Sequence, residues 1–128
     1  MEASSEPAEV ILSDLDGVIW LAHQAIDGAA EAVAMARAAG WKVGVIGTTG
    51  HSIDGTPVAT QHTTPDAPVL QALLARMRDA GVRVVAMEVS SIGLDRFRAD
   101  AIPYAAAVFT NLSRDHLDHH GTYENYAA

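Results

Sequence analysis

The sequence contains no cysteine. That excludes a disulfide framework, thiolate metal sites and a cysteine nucleophile, and it fits a cytoplasmic setting. Aromatic residues make up only 5% of the chain, so any core is built from small aliphatic side chains. Positive charge is scarce: 8 Lys and Arg face 16 Asp and Glu, for a formal charge of -8. Binding to nucleic acid through bulk electrostatics is therefore not expected. An anionic small ligand is still allowed, because a nest of backbone N–H groups holds phosphate on an acidic protein. No run is long and apolar enough to span a membrane, so no membrane partner is expected. Residues 1–9 are polar and acidic with no basic leader, so they read as a short disordered tail and not a signal peptide.

What is present is an ordinary soluble composition. Of 128 residues, 49% are hydrophobic and 19% charged, which suits one globular domain over 10–128. Oligomeric state is left open. Val10-Ile11-Leu12 is a short apolar run that ends in Ser13-Asp14-Leu15-Asp16-Gly17, a buried strand followed by a loop. Residues 28–39 are rich in helix formers, and Gly40 stops them. Residues 42–47 form a second apolar strand running into Thr48-Thr49-Gly50. Within the polar connection that follows, Asp54-Gly55 predicts a small hairpin turn. Residues 65–80 give the clearest helix, with Asp66 as its cap and Val69, Leu70, Leu73, Leu74 and Met77 as its apolar stripe. Residues 82–89 and 105–109 supply two more strands. A loop and short helix lie between them, and a partial helix follows 117.

Alternating strands and helices predict an α/β fold, with three α/β/α layers around a mostly parallel sheet of about four strands. Ligands of such sheets bind at the carboxyl ends of strands. That rule selects Asp14 and Asp16, residues 48–51, residues 88–91 and residues 110–116, where the chemistry-bearing residue types gather.

Four segments in order carry a family resemblance: Ile46-Gly47-Thr48-Thr49-Gly50-His51 with Ile53-Asp54-Gly55; His62-Thr63-Thr64-Pro65; Met87-Glu88-Val89-Ser90-Ser91; and Thr110-Asn111-Leu112-Ser113-Arg114-Asp115-His116-Leu117-Asp118 with His120-Gly121. Over residues 43–128 the chain resembles the central domain of a Mur ligase of peptidoglycan synthesis. The resemblance is to the ligase that adds a diamino acid to UDP-MurNAc-L-Ala-D-Glu. It implies a cytoplasmic, ATP- and Mg2+-dependent, amide-forming ligase that activates the substrate carboxylate as an acyl phosphate. It also implies roles. Glu88 and His116 would hold magnesium, which stabilises charge on the transferring phosphoryl group. Thr63, Thr64, Ser90 and Arg98 would contact the UDP-MurNAc-dipeptide, and Asn111 would lie near the nucleotide. Thr-Thr-Pro-Asp is equally a good helix start needing no ligand.

The same resemblance points to missing parts. A P-loop needs a lysine on the β/γ-phosphates. Residues 47–52 look like a degenerate P-loop without one, and the only lysine of the chain, Lys42, stands at a strand start. Ile92 occupies the place of the family's histidine after the paired serines. The family's carbamylated lysine would fall beyond Ala128. The expectation is a ligase derivative that is catalytically incomplete.

Residues 10–40 resemble something else, the first motif of haloacid-dehalogenase-like phosphatases. There Asp14 would be the nucleophile and Asp16 the general acid/base around magnesium. Thr48 falls where that family's second motif would stand. Two alternatives therefore stand beside the ligase reading: a magnesium-dependent phosphohydrolase joined to ligase sequence near 41–45, and a folded α/β domain without catalysis.

Overall fold

The computed structural model describes residues 9–13, 20–21, 24–25, 29–59, 61–109 and 115–128. Thirteen elements follow one another: β1 (Glu9–Ser13), β2 (Trp20–Leu21), β3 (Gln24–Ala25), α1 (Ala29–Ala38), β4 (Lys42–Ile46), β5 (His51–Ile53), β6 (Thr56–Val58), α2 (Ala67–Asp79), β7 (Val82–Met87), α3 (Ser91–Asp95), β8 (Tyr104–Val108), α4 (Leu117–His120) and α5 (Tyr123–Ala127). The strand starting at Glu9 takes one residue from the expected tail.

The expected four strands are all present and lie side by side in the order β4-β7-β1-β8, every neighbour parallel. The sheet is nevertheless larger and more mixed than expected. It has six strands, because the β5–β6 hairpin adds two antiparallel strands at the outer edge of β4. The cause is local: β5 follows β4 through a tight turn, which can only return the chain antiparallel. Asp54 and Gly55 form the hairpin turn as the sequence predicts, at φ of 50° and 84°. Both central residues have the positive φ that the preferred two-residue hairpin turn demands. Pro57 sits in β6, the edge strand, where a missing N–H costs no ladder bond. A separate two-stranded pairing of β2 with β3 lies outside the main sheet.

Right-handed crossovers fix the layers. The step from β1 through α1 to β4 runs one way along the sheet. The step from β4 through α2 to β7 runs the other way, so α1 and α2 cover opposite faces. The packed core lies under α2: Leu70, Leu73 and Met77 meet Ile46, Val82, Val85 and Met87, with Val89, Ala99 and Ile102 beyond. Val69, expected in the helix stripe, is exposed, so the stripe is narrower than its hydrophobicity suggests. The carboxyl ends of β4, β7, β1 and β8 share one edge, since Ile46 and Leu12 both pair with Met87, and Ser13 with Val108.

Candidate functional site

The residue that organises this edge is Glu88, the first position after β7. Its backbone N–H continues the ladder by donating to the Ile46 carbonyl at 2.8 Å. The residue is 9% exposed, and its side chain is turned toward the loop leaving β4. There the Thr48 N–H donates to Oε2 at 2.9 Å, and the Thr48 hydroxyl donates to Oε1 at 2.9 Å and Oε2 at 3.0 Å. A Cβ on Gly47 would stand 3.0 Å from Oε2, so glycine leaves room for the carboxylate. The turn itself is closed by Gly50 N–H to Gly47 O at 3.1 Å and by Gly47 N–H to His51 Nδ1 at 3.3 Å. The stretch that looks like a degenerate P-loop thus uses its Thr48 N–H on the protein's own carboxylate.

His51 is 4% exposed, and burial pushes its pKa below the usual imidazole range. With Gly47 N–H donating to Nδ1, the neutral ring carries its proton on Nε2. That atom has no hydrogen-bond partner among the described residues.

The segment before α2 forms the second wall. Thr63 Oγ1 lies 3.1 Å from Thr48 Oγ1. Because the Thr48 proton is given to Glu88, Thr63 is the donor in that contact. Thr64 is 1% exposed and turned inward. Its hydroxyl accepts from Ser90 N–H at 2.9 Å and donates to the Glu88 carbonyl at 3.3 Å. Ser90 caps α3, its Oγ accepting from Gly93 N–H at 3.1 Å. Gly93 is required there, since a Cβ would come within 2.9 Å of the Thr64 side chain.

Arg98 braces the same segment from behind. Its guanidinium donates to Thr64 O at 3.0 Å and pairs with Asp66 Oδ1 at 2.9 Å, with the side chain 10% exposed. Asp66 does hold the N-cap position of α2, but its carboxylate makes no cap bond and goes to Arg98 instead. Of the expected ligand-contacting residues, the structure therefore brings Thr63, Thr64, Ser90 and Arg98 together around Glu88. Only Thr63 among the two threonines keeps its hydroxyl at the partly open side.

His116 makes its contacts at the head of α4. It starts α4 at φ 51°, its Nε2 lies 3.8 Å from Asp115 Oδ2, and its ring meets Tyr126 edge-on. Neither contact involves Glu88. Nearby, His119 Nε2 reaches Asp95 Oδ2 at 2.9 Å and His120 Nε2 reaches Ser91 Oγ at 3.0 Å, which docks α4 onto α3. Asp14, Asp16 and Asn111 lie outside the described residues. Lys42 is at the amino end of β4, as expected, with Nζ donating to Ala80 O at 2.8 Å, away from this edge.

Magnesium takes oxygen ligands and is commonly held through one or two carboxylates together with water. Glu88, with hydroxyls beside it, fits as one such carboxylate. Among the described residues, no group of three or more His, Asp or Glu side chains is arranged to hold a metal. Sequence reasoning found Glu88 but assigned Thr48 no part in holding it. The available signal was a glycine and a hydroxyl residue directly after a strand, beside a strand that ends in a carboxylate.

The chain has known relatives. The model of the Mur ligase middle domain matches residues 30–128. The chain belongs to the Mur ligase middle-domain family. It is 55% identical over 91 residues to the UDP-N-acetylmuramoyl-L-alanyl-D-glutamate–2,6-diaminopimelate ligase of Pseudomonas syringae pv. tomato, covering 71% of this chain and 19% of the relative. It is 59% identical over 88 residues to the ligase of the same name from Corynebacterium glutamicum, covering 69% of this chain and 17% of the relative. A solved structure of a ligase of that name matches with a TM-score of 0.70 at 33% identity, over 95% of this chain and 23% of that one. The chain thus spans under a fifth of the length of these two curated relatives. The phosphatase resemblance of residues 10–40 finds no support in these matches. In this Mur-type sheet β1 is an interior strand between β7 and β8.

Proposed function

We propose that this chain is the part of a Mur ligase that forms the sheet edge where UDP-MurNAc-L-Ala-D-Glu and magnesium meet, in the reaction that adds a diamino acid to that dipeptide. The observation that carries the reading is the Glu88 carboxylate, held at the carboxyl end of the parallel strands by Thr48 and flanked by Thr63. The names of the relatives supply the reaction and substrate. When bound, magnesium would stabilise negative charge on a transferring phosphoryl group. The chain's own contribution is to hold Glu88 in place, to offer the Thr63 hydroxyl, and to keep the 63–66 segment rigid through Arg98. Asn111 near the nucleotide and His116 as a further metal ligand belong to this proposal on resemblance alone.

Nucleotide turnover by this chain is not proposed. Its one lysine is tied to Ala80 at the opposite end of β4, so no lysine at the carboxyl edge grips the β/γ-phosphates. Residues 10–128 are read as one folding unit, in keeping with their single main sheet. No helix among the described residues is long and apolar enough to cross a membrane, and a cytoplasmic site of action is part of the proposal.

Calorimetric titration with UDP-MurNAc-L-Ala-D-Glu, with and without magnesium, tests the reading. Magnesium-dependent binding that is lost in Glu88→Gln is expected. Absence of heat from a chain that circular dichroism shows to be folded would overturn it.

A further inference from the structure

We propose that Thr48 is the positioning residue for Glu88, fixing the carboxylate for a divalent cation; this rests on the reading of Glu88 as a cation ligand. Three donor contacts from one residue converge on one carboxylate: the Thr48 N–H on Oε2 and its hydroxyl on both Oε1 and Oε2, all within 3.0 Å. A glutamate side chain has three rotatable bonds, and a group with that freedom binds a cation weakly unless something else holds it. Here the carboxylate is held from one side. An ionised carboxylate has about four acceptor directions, so the Thr48 contacts leave part of its capacity free for a cation.

The arrangement is not needed for the core. Thr48 is itself exposed, outside the buried cluster under α2. It is also specific in type. Serine would reproduce both donors, whereas valine would keep the shape and the N–H but lose the hydroxyl. The hydroxyl also connects two parts of the site. It donates to Glu88 and accepts from Thr63, so the polarity runs from Thr63 through Thr48 to Glu88. The backbone beneath is set as well, since Gly47 leaves space for Oε2 and His51 holds the Gly47 N–H.

The test is Mn2+ binding to the purified chain, followed by the electron paramagnetic resonance signal of the free ion, with thermal melting run in parallel. The expected result is a saturable site in the wild type that disappears in Glu88→Gln. Thr48→Val is expected to bind about 10- to 100-fold more weakly, the range for loss of a group supporting a metal ligand. Thr48→Ser binds as the wild type does, and both Thr48 variants still melt in one cooperative transition, which separates weaker binding from loss of the fold. Thr48→Ala serves as a second hydroxyl-free variant should valine disturb the fold. If the hydroxyl-free variants bind as tightly as wild type while Glu88→Gln loses the site, Thr48 positions nothing and the reading of Glu88 survives. If Glu88→Gln binds like wild type, the reading of Glu88 itself fails and this proposal falls with it.

Discussion

At the scale of single residues, His51 carries a cost that pH reveals. It is buried beside the turn of residues 47–50 that faces Glu88, and burial lowers its pKa from the ordinary value of 6.5. Below that value the unfolded chain takes up a proton on this ring that the folded chain does not. Stability is therefore full above about pH 6.5 and falls as pH drops through the lowered native pKa, levelling off beneath it. Urea unfolding at about pH 7.5 and about pH 5.5, spanning the imidazole range, checks this. The midpoint falls more in the wild type than in His51→Asn, which keeps an acceptor for the Gly47 N–H and does not titrate. Equal falls in the two proteins would show that His51 is not the group responsible.

At the scale of elements, the start of α2 depends on a side chain 32 residues away from its cap position, Arg98 on Asp66. The pair differs in exposure: the Arg98 side chain is 10% exposed and that of Asp66 61%. An exposed carboxylate gains little from such a partner, because water screens the attraction. The buried guanidinium also satisfies the Thr64 carbonyl. Arg98→Ala is expected to cost about 1.5–3 kcal/mol, the range for bonds from a charged donor, and Asp66→Ala about 1 kcal/mol or less. Arg98→Lys does not restore the loss, since one ammonium cannot reproduce a planar fork bonding two separate oxygens. Chemical denaturation of the three variants measures this; a lysine variant as stable as wild type would refute the bracing role. Gly93 belongs to the same element pair, because the α3 backbone approaches Thr64 too closely for any Cβ.

At the scale of the whole molecule, the weak point lies at β8. Residues 10–12 are held on both sides, since β1 has a parallel partner on each flank. The edge opposite β6 is β8, which pairs only with β1 among the described residues, with Ala105, Ala106 and Ala107 exposed and Phe109 73% exposed. An uncovered strand of this kind is a template for pairing with another chain. Concentration-dependent association is expected in sedimentation velocity, and Ala107→Lys reduces it by placing charge on the edge. A chain that stays monomeric at every concentration would show that this edge is not sticky.

Much of this fold was legible in the residues alone, because its determinants are local. Apolar runs at the right lengths marked the four parallel strands, Asp54-Gly55 marked the hairpin turn by its tolerance of positive φ, and ordered motifs marked the family. Glu88 was legible because a carboxylate directly after a strand lies at the edge where such sheets bind ligands. The placement of β5 and β6 beside β4, and of β1 between β7 and β8, was not, since strand order is fixed by long-range pairing. Hydrogen-bond partners were equally hidden. Whether Thr64 faces a ligand or the interior, whether Asp66 caps its helix or pairs with Arg98, and which hydroxyl holds Glu88 depend on residues 24 to 40 positions apart. The sequence by itself determined which segments become strands and helices. Only the tertiary structure decided which polar groups meet, because that choice is made by burial and geometry once distant segments are packed.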